Sequence, residues 1–271
     1  MRPLTLVLRQ RPDQRLDLSP LVPHSLSGKS AAEIERIELQ TTRSRVTVGD
    51  AFRLRNGDPT RICIEGSCDR LDRIGHAMTG GEVFVDGDVG TQVGRLMAAG
   101  SLMIAGNTGP WAASAMKGGH LEIRGATGAF LAAPLAGEMA GMRGGLVIVR
   151  GGAGERAGDR MRRGTIIIEG GAGAYAGSRM IAGSLLIGKK AGPLPGYLMK
   201  RGSIVLGVPC EAMSPTFVDC GYHQLLAMRL WATILLPHSK KAAALLRRPL
   251  QRLAGDMAVL GKGEILVASP N

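Results

Sequence analysis

The chain has 271 residues, of which 40 are glycine and only 3% are aromatic, and its formal net charge is +12. This length can bury a core, but so much glycine with so few aromatic residues is unusual for an ordinary globular domain. Because it contains no run of eighteen apolar residues and no charged and apolar leader, we expect a soluble, cytoplasmic protein that does not enter a membrane.

Residues 1–56 are irregular and are predicted to form an N-terminal cap or arm. They contain a capping signal, in which Glu33 follows Ser30 by three residues. Weak strand signals at 46–48 and 62–65 indicate two less regular repeats, which begin the next part of the chain.

A repeat of 19 residues dominates the segment 57–209. Its marker is a methionine that recurs every 19 residues, apart from one gap of 26 that we interpret as one repeat plus a seven-residue insertion near 135–141. Glycine follows each methionine by three residues. A period near twenty predicts stacked structural units. The seven methionines are Met78, Met97, Met116, Met142, Met161, Met180 and Met199.

Each repeat contains a short strand signal. Positions five and seven after the methionine are apolar in all seven repeats, and a spacing of two residues places side chains on one face of a strand. Small residues recur nine, twelve and sixteen positions after the methionine, as in Gly87, Gly90 and Gly94. We expect a positive φ at these positions, or a neighbouring backbone too close for a side chain.

A unit this small cannot bury its own apolar face, so copies of it must stack. The predicted fold class is therefore all-β, a parallel β-helix with 19-residue rungs. A collagen helix is excluded because glycine does not occur at every third position. A left-handed hexapeptide helix, typical of acyltransferases, is disfavoured because 19 is not a multiple of six.

Residues 210–271 lose the repeat and are predicted to form a C-terminal helical tail. The segment 222–236 is interpreted as an apolar helix, and 240–253, after Pro237, as a basic helix. Stacked repeats need covers at their ends, so this helix pair is expected to lie against the stack.

An apolar band, which we call the docking wall, is predicted on the outside of the stack. Position six after the methionine should face outward, yet it is apolar in six of the seven repeats. Such a long apolar band needs a cover. The C-terminal helices, another subunit or both are the alternatives. The docking wall consists of Phe84, Met103, Ile148, Ile167, Leu186 and Val205.

Basic residues recur next to the methionines, and stacking would align them in a column that we call the basic seam. It is either an ordinary solvated corner or a track for an extended polyanion. Nucleic acid is the weaker choice of polyanion, since so few aromatic residues provide no stacking platform. The basic seam consists of Lys117, Arg143, Arg160, Arg162, Arg163, Arg179, Lys200 and Arg201.

No catalytic or metal-binding motif is visible on this chain. The spacings of the four cysteines match neither zinc sites nor iron–sulfur series, so we expect structural thiols. The five histidines are scattered, without an HExxH motif or a serine in a nucleophile elbow. We therefore expect no catalytic residue and no metal here.

Three parts of the sequence resemble the C subunit of the formylmethanofuran dehydrogenase family. They are the segment 48–54, the methionine-anchored repeats over 78–208, and the closing motifs at 255–258 and 261–265. The resemblance covers about residues 4–267. The repeat is also similar, more weakly, to the C-terminal β-helix domain of the glutamate synthase large subunit. This resemblance implies a right-handed β-helix that serves as a scaffold subunit without its own active site.

Two complexes use such a subunit. One is a molybdenum or tungsten formylmethanofuran dehydrogenase. The other is the formyltransferase/hydrolase complex of methylotrophic bacteria, which converts formyl-tetrahydromethanopterin to formate through methylofuran, a methanofuran-type carrier, and contains zinc. We favour the second, with subunits A, B and D as partners, because arginine greatly outnumbers lysine, as in GC-rich coding sequences.

The resemblance also offers a ligand for the basic seam. The carriers resemble a furan head on a glutamate-rich tail, and the seam is predicted either to hold that tail or to pair with acidic surfaces of partner subunits. A stand-alone polyanion-binding module is the remaining alternative.

Overall fold

The computed structural model describes residues 2–41 and 43–269. Within that part 34% of the chain is in strands and 11% in helices. Thirteen strands form one large sheet, and most neighbours in it are parallel. No helix in the described part is both long enough and apolar enough to span a membrane.

The N-terminal part contributes strands to the large sheet. Its elements are β1 (Pro3–Leu8), β2 (Leu16–Asp17), α1 (Pro23–Leu26), α2 (Ala31–Glu35), β3 (Glu38–Leu39), β4 (Val46–Thr47), α3 (Val48–Ala51), β5 (Phe52–Arg55), β6 (Asp58–Glu65) and β7 (Leu71–Asp72). Strand β1 pairs parallel with β6 and antiparallel with β5. Ser30 caps α2 in a capping box with Glu33, as predicted. The prediction that 46–48 forms a first irregular repeat is wrong, because β4 pairs antiparallel with β3 outside the large sheet and ends at Thr47, which caps α3.

The repeats supply seven successive strands of the large sheet. They are β8 (Thr79–Val85), β9 (Ala99–Ile104), β10 (His120–Ile123), β11 (Arg143–Val149), β12 (Arg163–Ile168), β13 (Ser184–Ile187) and β14 (Arg201–Leu206). Each pairs in parallel with the next, so that position five of one repeat lies opposite position five of its neighbour, as Val83 does with Leu102. Both side chains are at most 1% exposed. The apolar spacing of two therefore marks the buried face, as predicted.

A second line of contacts runs along the repeats, eleven positions after each methionine. Isolated parallel bridges join neighbouring repeats there. The hydroxyl of Thr108 also donates to that of Thr127 at 2.8 Å. Neighbouring repeats therefore meet along two lines, and not only in the sheet. The bridged residues are Val89, Thr108, Thr127, Ala153, Ala172 and Ala191.

From the second repeat onward, the glycine after each methionine makes room for the methionine of the preceding repeat. All seven methionines are 0% exposed. A Cβ atom on Gly100 would lie 2.6 Å from the Cε atom of Met78, and one on Gly164 would lie 2.8 Å from that of Met142. These two glycines also have φ values of 93° and 99°, which disfavour any side chain. The Met–Gly spacing is thus a packing requirement.

The C-terminal part differs from its prediction in two ways. Its elements are β15 (Val218–His223), α4 (Leu226–Leu235), α5 (Lys240–Leu246), β16 (Leu250–Gly255) and β17 (Lys262–Ala268). The apolar helix predicted over 222–236 begins later, because Tyr222 and His223 belong to β15. The basic helix predicted over 240–253 ends at Leu246, because Pro249 cannot continue a helix and disfavours helical backbone just before it.

Strand β17 takes the place of one more repeat. It pairs in parallel with β14, and a Cβ atom on Gly263 would lie 2.6 Å from the Cε atom of Met199. This is the same contact that joins the repeats before it. The large sheet therefore contains strands from all three predicted parts of the chain.

Candidate binding surfaces

The residues of the basic seam lie next to the buried methionines in the chain. Six of its eight predicted residues have exposed side chains. None of these six forms an ion pair within the described part of the chain. They are Lys117, Arg143, Arg162, Arg163, Lys200 and Arg201.

The other two seam residues have partners within the chain. Arg179 makes a two-point ion pair with Asp159, with Nε–Oδ1 and Nη2–Oδ2 distances of 2.9 and 2.7 Å. Arg160 donates from Nη1 to the backbone oxygen of Glu138 at 3.2 Å. Contacts within the chain hold these two arginines, so the column of free cations has six of the eight predicted members.

Sequence reasoning missed one member of the column, Lys262. It begins β17 and lies opposite Arg201 in the parallel register, with an exposed side chain. The signal was present in the sequence, since the pattern at 262–265 (Lys-Gly-Glu-Ile) repeats the pattern at 201–204 (Arg-Gly-Ser-Ile). The similarity was overlooked because a long loop and two helices separate 201–204 from 262–265.

The column spans six neighbouring strands, from β10 to β14 and then β17, with a gap at β13, where Arg179 is paired with Asp159. At about 4.8 Å per strand, its length is about 24 Å. Like charges at this spacing repel one another unless an anion lies between them. An extended chain of carboxylates, or an acidic protein surface, matches this arrangement in charge and in length.

The segment 135–141, which we predicted to be an insertion, is tied to an earlier repeat by its own carboxylate. Glu138 forms an ion pair with Arg95, with 2.5 Å between Oε1 and Nη2, and the side chain of Arg95 is only 11% exposed. The hydrogen bond from Arg95 is the main cause that lowers the pKa of Glu138. Met139 beside it is 82% exposed. The insertion therefore presents an apolar side chain on an anchored loop.

The docking wall is divided into a covered and an open part. Ile148, Ile167, Leu186 and Val205 are at most 1% exposed. They form a cluster with residues of α4 and α5, namely Ala232, Leu235, Ala242, Ala243, Leu245 and Leu246. The chain's own helices thus cover these four positions. Phe84 is 36% exposed and Met103 is half-buried, so only these two of the six remain open to another molecule.

Glu169 holds α5 against the sheet. Its carboxylate accepts a hydrogen bond from Ser239 Oγ at 2.8 Å and lies 2.6 Å from Arg150 Nη1 and 3.0 Å from Lys241 Nζ. Burial acts to raise the pKa of Glu169, but the hydrogen bonds from Ser239, Lys241 and Arg150 outweigh it and hold the pKa below its usual value. Ser239 is also the N-cap of α5.

Glu169→Gln is expected to weaken the docking of α4 and α5 by about 1–3 kcal/mol, because Lys241 loses its charged partner and Arg150 keeps only Glu122. A carboxyl group whose pKa is lowered by folding stabilises the fold above its unfolded pKa, and this contribution is lost as the pH falls through the folded pKa. The wild-type chain should therefore lose the stabilisation from the Glu169 carboxylate as the pH falls below about 4.5. Amide hydrogen exchange over 226–246, corrected for intrinsic rates, measures both effects.

Glu211→Gln is the matched control, since Glu211 also pairs with a lysine but is 81% exposed. It should leave the exchange of α4 and α5 unchanged. Equal exchange in the Glu169→Gln chain and the wild type would show that the carboxylate does not hold the helices.

A ladder of planar side chains lies fourteen positions after the methionine. The rings of Trp111 and Phe130 stack with centroids 5.3 Å apart and an interplanar angle of 8°. The guanidinium of Arg156 lies 4.8 Å from the ring centroid of Tyr175. Sequence composition indicated no stacking platform, but the repeat brings three of the few aromatic residues to one position. Aligning the repeats at position fourteen would have shown it.

The described residues contain no group of three or more His, Cys, Asp or Glu side chains that could hold a metal ion. His120 of β10 and His238, between α4 and α5, have ring centroids 5.5 Å apart. Burial, and then the charge of His238, lower the pKa of His120. This pair is part of the packing between the helices and the sheet.

Comparison with known proteins gives relatives but no match to a family model. A segment of 89 residues is 41% identical to the C subunit of the formyltransferase/hydrolase complex Fhc of Methylorubrum extorquens, and covers 33% of this chain and 34% of the relative. A segment of 99 residues is 32% identical to the C subunit of tungsten-containing formylmethanofuran dehydrogenase 2 of Methanothermobacter marburgensis, and covers 34% of this chain and 36% of the relative. The chain thus aligns with about a third of the length of these relatives.

The structural comparison covers the whole chain. The structure matches one chain in the crystal structure of the formyltransferase/hydrolase complex FhcABCD from Methylorubrum extorquens in complex with methylofuran. The TM-score is 0.94 and the sequence identity 40%, over 98% of this chain and 100% of the other. The chain therefore belongs to the family of the C subunit of the formyltransferase/hydrolase complex, to which the C subunit of formylmethanofuran dehydrogenase is related.

Proposed function

We propose that this chain is a non-catalytic scaffold subunit of a formyltransferase/hydrolase complex, which converts formyl-tetrahydromethanopterin to formate through a methanofuran-type carrier. The observation that carries this proposal is the match to a chain of FhcABCD, with a TM-score of 0.94 over 98% of this chain. The long sheet carries two surfaces that could bind other subunits, namely the basic seam and the open part of the docking wall.

We further propose that the stack is a right-handed parallel β-helix with 19-residue rungs, flanked by a cap at 1–56 and a tail at 210–271. The two lines of parallel contacts between repeats, in the sheet and at the isolated bridges, support this winding. The right-handed sense is the one that the family resemblance implies.

In this proposal the partners are subunits A, B and D, with the transfer and the hydrolysis on A and D, and the complex is cytoplasmic. The zinc of the complex is proposed to lie on another subunit. The molybdenum or tungsten dehydrogenase is less favoured, because identity to its C subunit is 32% against 41% for that of Fhc.

Co-expression of this chain with subunits A, B and D tests the scaffold role. We expect one complex on gel filtration that releases formate from formyl-tetrahydromethanopterin. Omission of this chain should lower the yield of assembled complex at least tenfold. A complex of full activity that assembles without this chain would contradict the role.

We also propose that the basic seam guides the glutamate-rich tail of the carrier between distant active sites. The six free cations and Lys262, in a column about 24 Å long, support this use. A single exposed ion pair contributes about 0–1 kcal/mol, so only the array can matter. Pairing of the seam with an acidic surface of a partner subunit is the competing use.

The triple variant Lys117→Glu/Arg143→Glu/Arg162→Glu should raise the KM for the carrier about tenfold at low salt and flatten the dependence of KM on salt, because screened attraction becomes repulsion. Steady-state kinetics of the assembled complex from low to high salt measure this. The kcat value should change little, since in this proposal the transfer and the hydrolysis take place on subunits A and D.

The control is Lys29→Glu/Arg53→Glu/Arg124→Glu, which changes the net charge equally at exposed residues outside the seam. If the seam variant and this control behave alike, the seam does not guide the carrier. If only the seam variant fails to assemble, the seam binds a partner subunit instead.

The open part of the docking wall is proposed as a contact with a partner subunit. Phe84 and Met103 lie opposite each other on neighbouring strands, and together they form one apolar patch. We propose the insertion as a second contact, made through Met139, which is 82% exposed.

A further inference from the structure

Helix α4 has apolar side chains on two opposite faces. Its inner face is buried against α5 and the sheet, where Ala232 is 0% and Leu235 3% exposed. Its outer face carries Leu226, Leu230 and Ile234, which are 69%, 60% and 66% exposed. A spacing of four residues places these three in one stripe along the helix. We call them the outer stripe.

A helix that covers a sheet normally has polar residues on its far side. Three large aliphatic side chains in a row, each more than half exposed, mark a surface that another molecule covers. Beside the outer stripe lies a groove of about 760 Å³ between α4 and the end of α5. Leu226, Leu230 and Leu246 line its apolar part.

The rim of this groove is basic. Arg229, Arg247 and Arg248 line it, and none of the three forms an ion pair with the described residues. The sequence has no acidic residue between Asp219 and Asp256. A second copy of the chain would bring two such arginine clusters together, and like charges at an interface oppose association. The occupant that this surface fits is therefore apolar with an acidic rim.

We propose that the outer stripe and its groove bind an acidic, apolar segment of a partner subunit. This inference rests on the proposed function, since it requires a hetero-oligomeric complex. It also explains why α4 and α5 cover the docking wall. The helices bury four of its residues and offer a new apolar surface, flanked by arginines, one layer further out.

The test is the double variant Leu226→Gln/Leu230→Gln, co-expressed with subunits A, B and D. Both side chains are mostly exposed, so the isolated chain should keep its melting temperature. We expect the affinity for the partners to fall at least tenfold, and hydrogen exchange to show α4 more protected in the wild-type complex than in the isolated chain. Met257→Gln/Leu260→Gln, which changes two other exposed apolar residues, should assemble normally.

The outcomes separate the inference from the function on which it rests. If wild-type chain does not assemble with the partners, the proposed function fails. If wild type and double variant assemble equally and assembly adds no protection to α4, this inference alone is overturned. If the wild-type chain forms a dimer and the double variant does not, the outer stripe binds a second copy. If the assembled complex binds anionic vesicles through α4, the outer stripe binds a membrane surface. Either result would overturn the inference.

Discussion

Met142→Ala should lower the free energy of unfolding by about 2–5 kcal/mol, the range for removing a large apolar side chain from a packed core. Met142 is 0% exposed, and its Cε atom occupies the space that a Cβ atom on Gly164 would need. The neighbouring repeats fix both backbones, so the cavity cannot collapse easily. Urea unfolding of the isolated chain measures the loss.

Met139→Ala is the matched control. It removes the same atoms three positions before Met142, but from a side chain that is 82% exposed. It should change the unfolding free energy by about 0.5 kcal/mol or less. Similar losses in the two variants would mean that the methionine ladder does not form the core.

The second large effect is expected for Gly170→Ala, which should cost about 3 kcal/mol or prevent folding. A Cβ atom there would lie 2.5 Å from the backbone oxygen of Gly151 and 2.8 Å from the backbone nitrogen of Gly152. A side chain could rotate away, but backbone atoms of the neighbouring repeat cannot move without breaking the parallel pairing. The melting temperature measures this effect.

Gly80→Ala is its control, since a Cβ atom on Gly80 would meet no atom within 4 Å. It should melt within a few degrees of wild type. A Gly170→Ala chain that melts with the control would show that neighbouring repeats lie further apart than described.

The periodic part of the fold could be predicted from the sequence because each repeat imposes the same packing on its neighbours. The methionine ladder and the apolar positions five and seven gave the strands and their register. The two ends of the chain have no repeated pattern that could indicate their structure in this way. The basic helix was predicted to run to Leu253, and β16 and β17 were missed, because pairing with a distant strand decides their structure and leaves little local signal.

The sequence predicted where the binding surfaces lie, but not which of their residues form ion pairs within the chain. The sequence placed eight basic residues beside the methionines. It did not show that Asp159 pairs with Arg179, or that Glu138 pairs with Arg95. It left open what covers the docking wall, since a helix partner is a tertiary contact. Lys262 was missed because it is separated from Arg201 by two helices and two strands.

The most direct test of the scaffold proposal is purification of the tagged chain from its source cells, with metal analysis and an assay of formate release from formyl-tetrahydromethanopterin. We expect a complex with three partner subunits that releases formate and contains zinc but neither molybdenum nor tungsten. A complex with molybdenum or tungsten and iron–sulfur clusters would contradict it, and would assign the chain to a formylmethanofuran dehydrogenase.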